Sequence, residues 1–536
     1  MNDSNESTAL QITDLSDGAA YLEGLMLANP AIAERQLIRL IDALLAVPPD
    51  PGVLFPLLEQ IRVPLCFVEE ELALSYQNKP IPLGDHQELA FQMVLQAWRK
   101  IGKAYALCAS LEEPDTDNPD YKGLMATILH RCIYYVGMVI LDHYRARREL
   151  PAGIWLELHG FYETAEQWGL EFTLVSDPLE NSVQATHCAA AYINLLLIEV
   201  ASPYSNSVRT LNLIRRWASM WAPLVGIHRL DDDLELPPYV LELMKDSPLH
   251  PSAALEGTAK DARCLDTTRL GLQIEHSISQ LHQRMSPSQL GLGEENSSHV
   301  ISLLEQVAKP WKQSAAPRRF RRFSTEGRAH LVTGFEAMYF HIAGEAFEQP
   351  DSAAAYSRAQ YEQLFTFGDR VDPGQGLKIR ADVNFPTEDW SVINHSATGF
   401  RLGRSGAGQR ITHGELMAIC PHDGESFLLA YATWLMQERS GGLIVGVATL
   451  PGLPRGIAFR QLDPTGGVRV DVRYAAAFLL PALPAMKEDC SLVLPPGAYQ
   501  AGRDLELVDG KTIRQVRMNR VLQRQIAFDR ISIIEL

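Results

Sequence analysis

Six cations crowd into seventeen residues of this chain: Lys312, Arg318, Arg319, Arg321, Arg322 and Arg328, with Glu326 the single acid among them. The centre of the cluster is PRRFRRF, Pro317–Phe323. A guanidinium offers a planar fork of donors to phosphate oxygens or to a purine edge, and its flat face stacks on rings. Such a cluster has the chemistry to hold a phosphate-bearing ligand. Arginines four apart also occur at Arg35/Arg39 and Arg520/Arg524, so a solvated or partner-facing charge cluster is the other reading of Arg318–Arg322. Further on, Asn394-His395-Ser396-Ala397-Thr398-Gly399 follows the strand-like Trp390–Ile393. Asparagine and serine turn the chain while presenting donors and acceptors, and glycine permits a tight backbone excursion. NxSxxG alone is also an ordinary turn, although the chain holds it only once.

The elements that must position these residues are short strands. ELMAIC (415–420), SFLLAYATWLM (426–436) and GLIVGVATL (442–450) are apolar runs of strand length separated by glycine-rich turns. A tryptophan near the end of one strand and glycine-valine alternation in the next suit packing inside a small closed barrel.

An RxxxR arm followed in order by [D/N]xSxxG and such strands resembles the PilZ domain family, over about residues 318–328 and 385–465. The resemblance implies a six-stranded antiparallel barrel that binds cyclic di-GMP, with no other cofactor. It assigns Arg318 and Arg322 as the arm, Asn394 and Ser396 as contacts to a guanine edge, and Gly399 as the residue that keeps the turn open. Arg319 and Arg321 are possible electrostatic auxiliaries. In the family the arm lies a few tens of residues before the turn. Here about 70 intervene, which implies an insertion at about 335–384, with AHLVTG after Arg328 still serving as the first strand.

The composition sets limits on the rest. A chain of 536 residues exceeds one hydrophobic core, and 46% hydrophobic with 21% charged residues is ordinary for folded domains. A formal charge of −17 opposes a general nucleic-acid coat, and no DNA partner is expected. Seven scattered cysteines without CxxC fit a reducing cytoplasm, and the acidic start MNDSNESTALQITDLSDG lacks the features of a secretory signal. The longest apolar run, near Ala189–Ala201, contains Asn194 and Glu199 and falls short of the roughly 20 residues a spanning helix needs. It reads as a buried helix, and no membrane insertion is expected.

Helical spacing dominates from Asp17 to about Met220, interrupted at VPPDPG (47–52), EEPDTDNPDYKG (112–123) and ELPAG (149–153). A helix-hairpin solenoid is a further option for this array, though its spacing is irregular. The organisation expected is a multidomain α+β chain: a flexible N-terminus (1–16), a helical interaction domain (17–224), a helical connector (225–315), a PilZ-like barrel (316–465) and a β-rich extension (466–536). His413, Cys420, His422 and Asp423 lack paired metal-ligand spacing; Gly403–Gly408 lacks a P-loop lysine; the Asp115/Asp117/Asp120 run has Pro119 in a ligand position. Neither HExxH nor GxSxG occurs, which lowers the expectation of catalysis. The expected function is a cytoplasmic cyclic di-GMP effector, not an enzyme, that acts on an unidentified protein partner through its helical region. A scaffold with a ligand-free barrel and an RNA-binding protein using the arginine arm are the alternatives.

Overall fold

The computed structural model describes residues 10, 12–111, 118–179, 185–230, 237–255, 261–313, 323–350, 385–405, 408–462 and 473–536, and the chain divides into two units, Met1–Pro317 and Arg318–Leu536. The first unit opens with α1 (Leu15–Glu23), α2 (Pro30–Ala46), α3 (Pro51–Ala73), α4 (Asp85–Leu111), α5 (Pro119–Arg145), α6 (Ile154–Gln167), α7 (Cys188–Val200) and α8 (Val208–Trp221). The breaks in the sequence become helix starts. The Asp50 and Asn118 side chains accept from the Gly52 and Asp120 amides at 2.9 Å, and each precedes a proline at the first helical position. α5 is buried nearly all round by α4, α6 and α7, so its apolar composition follows from its place at the centre. α3 and α5 are long and apolar enough to cross a membrane by length and composition, and the apolar stretch of α5 is mostly buried inside this unit. The run at Ala189–Ala201 is the buried helix α7.

Residues 225–315 depart from a purely helical connector. β1 (Gly226–Arg229), β2 (Tyr239–Glu242), β3 (His250–Pro251) and β4 (Ala262–Asp266) pair antiparallel in the order β1-β4-β2-β3, before α9 (Thr268–His282) and α10 (Ser297–Trp311). Strands of two to five residues are too short to print an alternation that sequence patterning detects.

This unit keeps charges in its interior. The buried Arg62 and Arg131 converge on Asp177 at 2.9 and 3.0 Å, and Arg131 also reaches Glu59 at 2.8 Å. Burial pushes the Asp177 carboxyl up, but the hydrogen bond and charge of Arg62 and the charge of Arg131 outweigh it and hold it below the usual carboxylate range. Asp177 thereby ties the loop after α6 to α3 and α5.

In the second unit β5 (Phe323–Thr333), β6 (Glu388–Ser396), β7 (Gly399–Arg404), β8 (Leu416–Pro421), β9 (Leu428–Gln437) and β10 (Leu443–Thr449) close an antiparallel barrel in the order β10-β7-β6-β5-β8-β9. Ala329, Trp390, Leu402, Ile419, Leu435 and Val445 are fully buried. Large apolar side chains buried this way stabilise by roughly 1.5–3 kcal/mol each. β11 (Arg455–Gln461), β12 (Ala475–Leu480), β13 (Ser491–Leu494), β14 (Asp504–Asp509), β15 (Thr512–Arg524) and β16 (Asp529–Glu535) close a second barrel. The β-rich extension therefore closes on itself. β11 pairs with β12 and β14, which puts residues 455–461 with the extension and not with the first barrel, where strand patterning had left them. Alternation marks a strand but does not name its partner.

Between β5 and β6 sits α11 (Phe335–Ala343), inside the expected insertion. Met338 joins Val332, Leu416 and Leu429 of the first barrel and Phe478 and Val493 of the second in one apolar cluster. Gly456 on β11 lies so close that a Cβ there would sit 2.9 Å from Tyr339 and from Ala343. The multidomain α+β architecture is the one the sequence implied, and the net acidity has a location. Residues 1–317 carry 23 Lys+Arg against 41 Asp+Glu, whereas residues 318–536 carry 25 against 24.

Candidate ligand site

Sheet register brings the strand that follows the arginine arm in sequence to the turn. β5 starts at Phe323 and runs antiparallel to β6, with Phe323 opposite His395 and Ser324 opposite Asn394. Arg318, Arg319, Arg321 and Arg322 lie outside the described residues, and the strand that begins immediately after Arg322 is registered on the Asn394 end of β6.

β6 and β7 are joined by a two-residue hairpin, Ala397–Thr398, with Ser396 directly opposite Gly399. The Ser396 hydroxyl donates to the Gly399 carbonyl at 3.4 Å, and the Thr398 amide donates to Ser396 Oγ at 3.5 Å; both bonds are long. Gly399 is required for a reason the motif does not state. Its φ lies outside the left-handed region, but a Cβ there would stand 2.2 Å from the Val447 carbonyl oxygen on β10. Close approach of a third strand, and not an open turn, excludes a side chain.

Cross-strand partners extend the site beyond the motif. Asn394 is opposite Arg401 on β7, Arg401 is opposite Gly446 on β10, and Gly446 is opposite Trp434 on β9. The indole lies across Gly446, where a Cβ would meet Trp434 Nε1 at 1.8 Å, and the Arg401 guanidinium sits 5.5 Å from the indole centroid. Among the described residues Arg401 Nε has no hydrogen-bond partner. A row of amide, guanidinium and indole thus spans four strands on the side opposite the buried Leu402, Val445 and Leu435. Sequence patterning took Trp434 as packing inside the barrel. A register shift between Gly446 and Val447 leaves Thr433 unpaired in β9 and carries Trp434 to the outer face. The signal that was available was an arginine two residues after Gly399.

A groove of about 1230 Å³ borders the other side of the hairpin, lined by Arg328, Ser391, Ile393, His395, Phe400 and His422 among others. Alternation along β6 and β7 directs His395 and Phe400 away from Ser396 and Arg401, so the groove and the polar row flank the same hairpin from two sides. His330 Nδ1 lies 2.7 Å from Asp389 Oδ1, and its ring centroid is 5.7 Å from that of His422. Among the described residues no three His, Cys, Asp or Glu side chains converge as metal ligands. The outer row can stack on a planar base and offer donors to its edge or to an anion.

Comparison with known proteins adds an independent line. Residues 16–232 match the family described as Cyclic-di-GMP receptor FimW, N-terminal domain; residues 239–371 match Cyclic-di-GMP receptor FimW, middle PilZ domain; residues 458–536 match FimW C-terminal beta-barrel domain. The middle match takes in the arginine arm, β5 and α11, and strands β6–β10 follow it. The cyclic-di-GMP receptor FimW of Pseudomonas aeruginosa strain PAO1 is 24% identical over 491 residues, covering 84% of this chain and 79% of the relative. With three segments matched in this order over four-fifths of its length, and an arginine arm running into a six-stranded barrel, the chain is a PilZ-domain protein with a large N-terminal helical region.

Proposed function

We propose that this chain is a cytoplasmic receptor, not an enzyme, that binds cyclic di-GMP on the outer face of its first barrel and signals to a protein partner through its helical region. The observation that carries the proposal is the β5–β6 register, which opposes Ser324, two residues after Arg322, to Asn394. Arg318 and Arg322 neutralise the phosphates, with Arg319 and Arg321 as auxiliaries. Asn394 and Ser396 address a guanine edge on the hairpin that Gly399 fits against β10, and Arg401 stacked on Trp434 supplies a planar cation beside them. The domain frame is the helical interaction domain (17–224), its connector (225–315), the ligand-binding barrel of β5–β10 and the second barrel of β11–β16. Phosphate placed beside the like-charged arginine segment offsets its repulsion, and the difference in ligand affinity between the two states of the protein sets the size of the switch.

Calorimetric titration of the full chain with cyclic di-GMP tests this. The Arg318→Ala/Arg322→Ala variant is expected to lose affinity by at least about tenfold, since each charge-assisted hydrogen bond contributes roughly 1.5–3 kcal/mol. Arg401→Ala is expected to weaken binding about fivefold or more, by loss of stacking. Unchanged affinity in the double variant removes the arm from the site. Absence of heat and of thermal stabilisation at saturating dinucleotide identifies a scaffold with an empty barrel. Salt-sensitive binding of any single strand, with no preference for the cyclic dinucleotide, identifies an RNA-binding protein.

A further inference from the structure

The outward face of α6 and the turn after it combine two features that monomeric proteins rarely leave uncovered. Leu156, Gly160, Thr164 and Trp168 recur every fourth residue and so share one helix face. Leu156 is 41% exposed and Trp168 48%, and between them Gly160 leaves open space, with nothing within 4 Å of where its Cβ would be. The turn continues the apolar surface with Phe172, 54% exposed, and Leu174, 72% exposed. Beside it Trp168 and Leu170 wall a notch of about 250 Å³ against Tyr121, Lys122 and Met125 at the start of α5, a space for one inserted side chain.

The chain segment that forms this surface carries charge of one sign. From Glu149 to Val208 the chain carries eight acidic residues and no lysine or arginine. Glu166 is held by Arg263 at 2.8 Å and Arg229 at 3.1 Å, which leaves Glu157, Glu163 and Glu171 as the acids nearest the exposed face, with Lys122 the one cation lining the notch among the described residues. An aromatic-rich patch with an acidic border complements a segment that brings cations flanking an apolar anchor.

We propose that the α6 face and the 168–174 turn form a docking surface for a cationic, amphipathic helical segment of a partner protein, which inserts an apolar side chain beside Trp168. The proposal gives chemistry to the partner-facing role assigned above to the helical region and rests on that role, but it is independent of ligand binding at the barrel.

The test uses the full chain and a labelled 18-residue amphipathic peptide with lysines on its polar face and leucines on its apolar face, together with a glutamate-for-lysine counterpart. The lysine peptide is expected to bind the natural chain, and the glutamate peptide to show no binding. Trp168→Ala/Phe172→Ala is expected to weaken binding by tenfold or more with an unchanged melting curve, in line with truncation of an exposed aromatic anchor. Val63→Ser/Phe67→Ser, which removes exposed apolar side chains on α3, serves as the control and is expected to stay within twofold. Equal binding by the Trp168/Phe172 variant, an equal loss in the control, or equal binding of the glutamate peptide each overturns the assignment. Adding cyclic di-GMP separates the two proposals. An affinity that ignores the dinucleotide leaves the docking surface standing and removes only its coupling to the barrel.

Discussion

The two units treat charge in opposite ways. The helical unit takes Arg62, Arg131 and Asp177 into its interior and pairs them there. The barrels fill with apolar side chains such as Ile457, Leu492, Leu505, Val516 and Ile531, and set charges opposite one another on neighbouring strands: Arg517 with Asp504 at 2.6 Å, Arg524 with Asp529 at 2.7 Å, Arg460 with Glu506 at 2.8 Å. Long helices leave space between them where a complete ion cluster fits, and the desolvation cost is offset only when every member is paired. A six-stranded barrel has room for little besides packed side chains, so its chemistry lies on the outer wall. The lesson is that the helical unit uses charge to tie helices together from within, whereas the barrels use it to tie neighbouring strands together.

A large effect is expected of Asp177→Ala, which removes the carboxylate shared by two buried guanidinium groups, leaves Arg131 with Glu59 alone and takes from Arg62 its close charge partner, at a cost of about 3–5 kcal/mol. Scanning calorimetry of the full chain should show the helical unit melting earlier while the barrel unit is unmoved. If both transitions fall together, the charge is not a local matter and the contrast between units fails. Next is Gly399→Ala, whose Cβ would collide with the Val447 carbonyl and force β7 from β10, at a cost of about 1–3 kcal/mol. Here the barrel unit should melt earlier and the helical unit hold.

A third effect is pH dependence in the helical unit. Burial pushes His130 down to about 3, with the charge of Arg131 adding to it; burial also pushes His143 and His159 down to about 4. The geometry agrees, because His130 Nδ1 accepts from Arg131 at 3.1 Å and His159 Nδ1 accepts from the Tyr192 hydroxyl at 2.7 Å. Unfolded histidines take up protons near pH 6.5. Between pH 6.5 and about 4 the unfolded state therefore binds more protons than the native one, and stability of this unit falls as pH falls through that window. Calorimetry in buffers of different ionisation enthalpy should register an uptake of up to about three protons on unfolding. A flat profile would mean that these rings are charged in the native fold.

Local chemistry was legible in the sequence, and long-range pairing was not. The helix breaks at 47–52 and 112–123, the buried run of α7 and the strands of the first barrel follow from residue type and period. The hairpin Asn394–Gly399 follows from turn residues. The reason for Gly399 lies on β10, almost fifty residues away, and the outward turn of Trp434 depends on one extra residue in β9. Arg401 and Trp434 become neighbours only through register, which no local period encodes. The second barrel was visible as strands but not as a closed ring, since closure depends on which edges meet.

The helix between β5 and β6 has a practical consequence for anyone who wishes to shorten this protein. Met338, Val332, Leu416 and Leu429 are covered in part by Phe478, Leu480, Val493 and Phe528, which lie after residue 450. A fragment that stops where the first ring closes carries a bare greasy face and should clump when expressed, whereas one that runs to Leu536 keeps its own lid. The second ring is thus part of what makes the first one soluble.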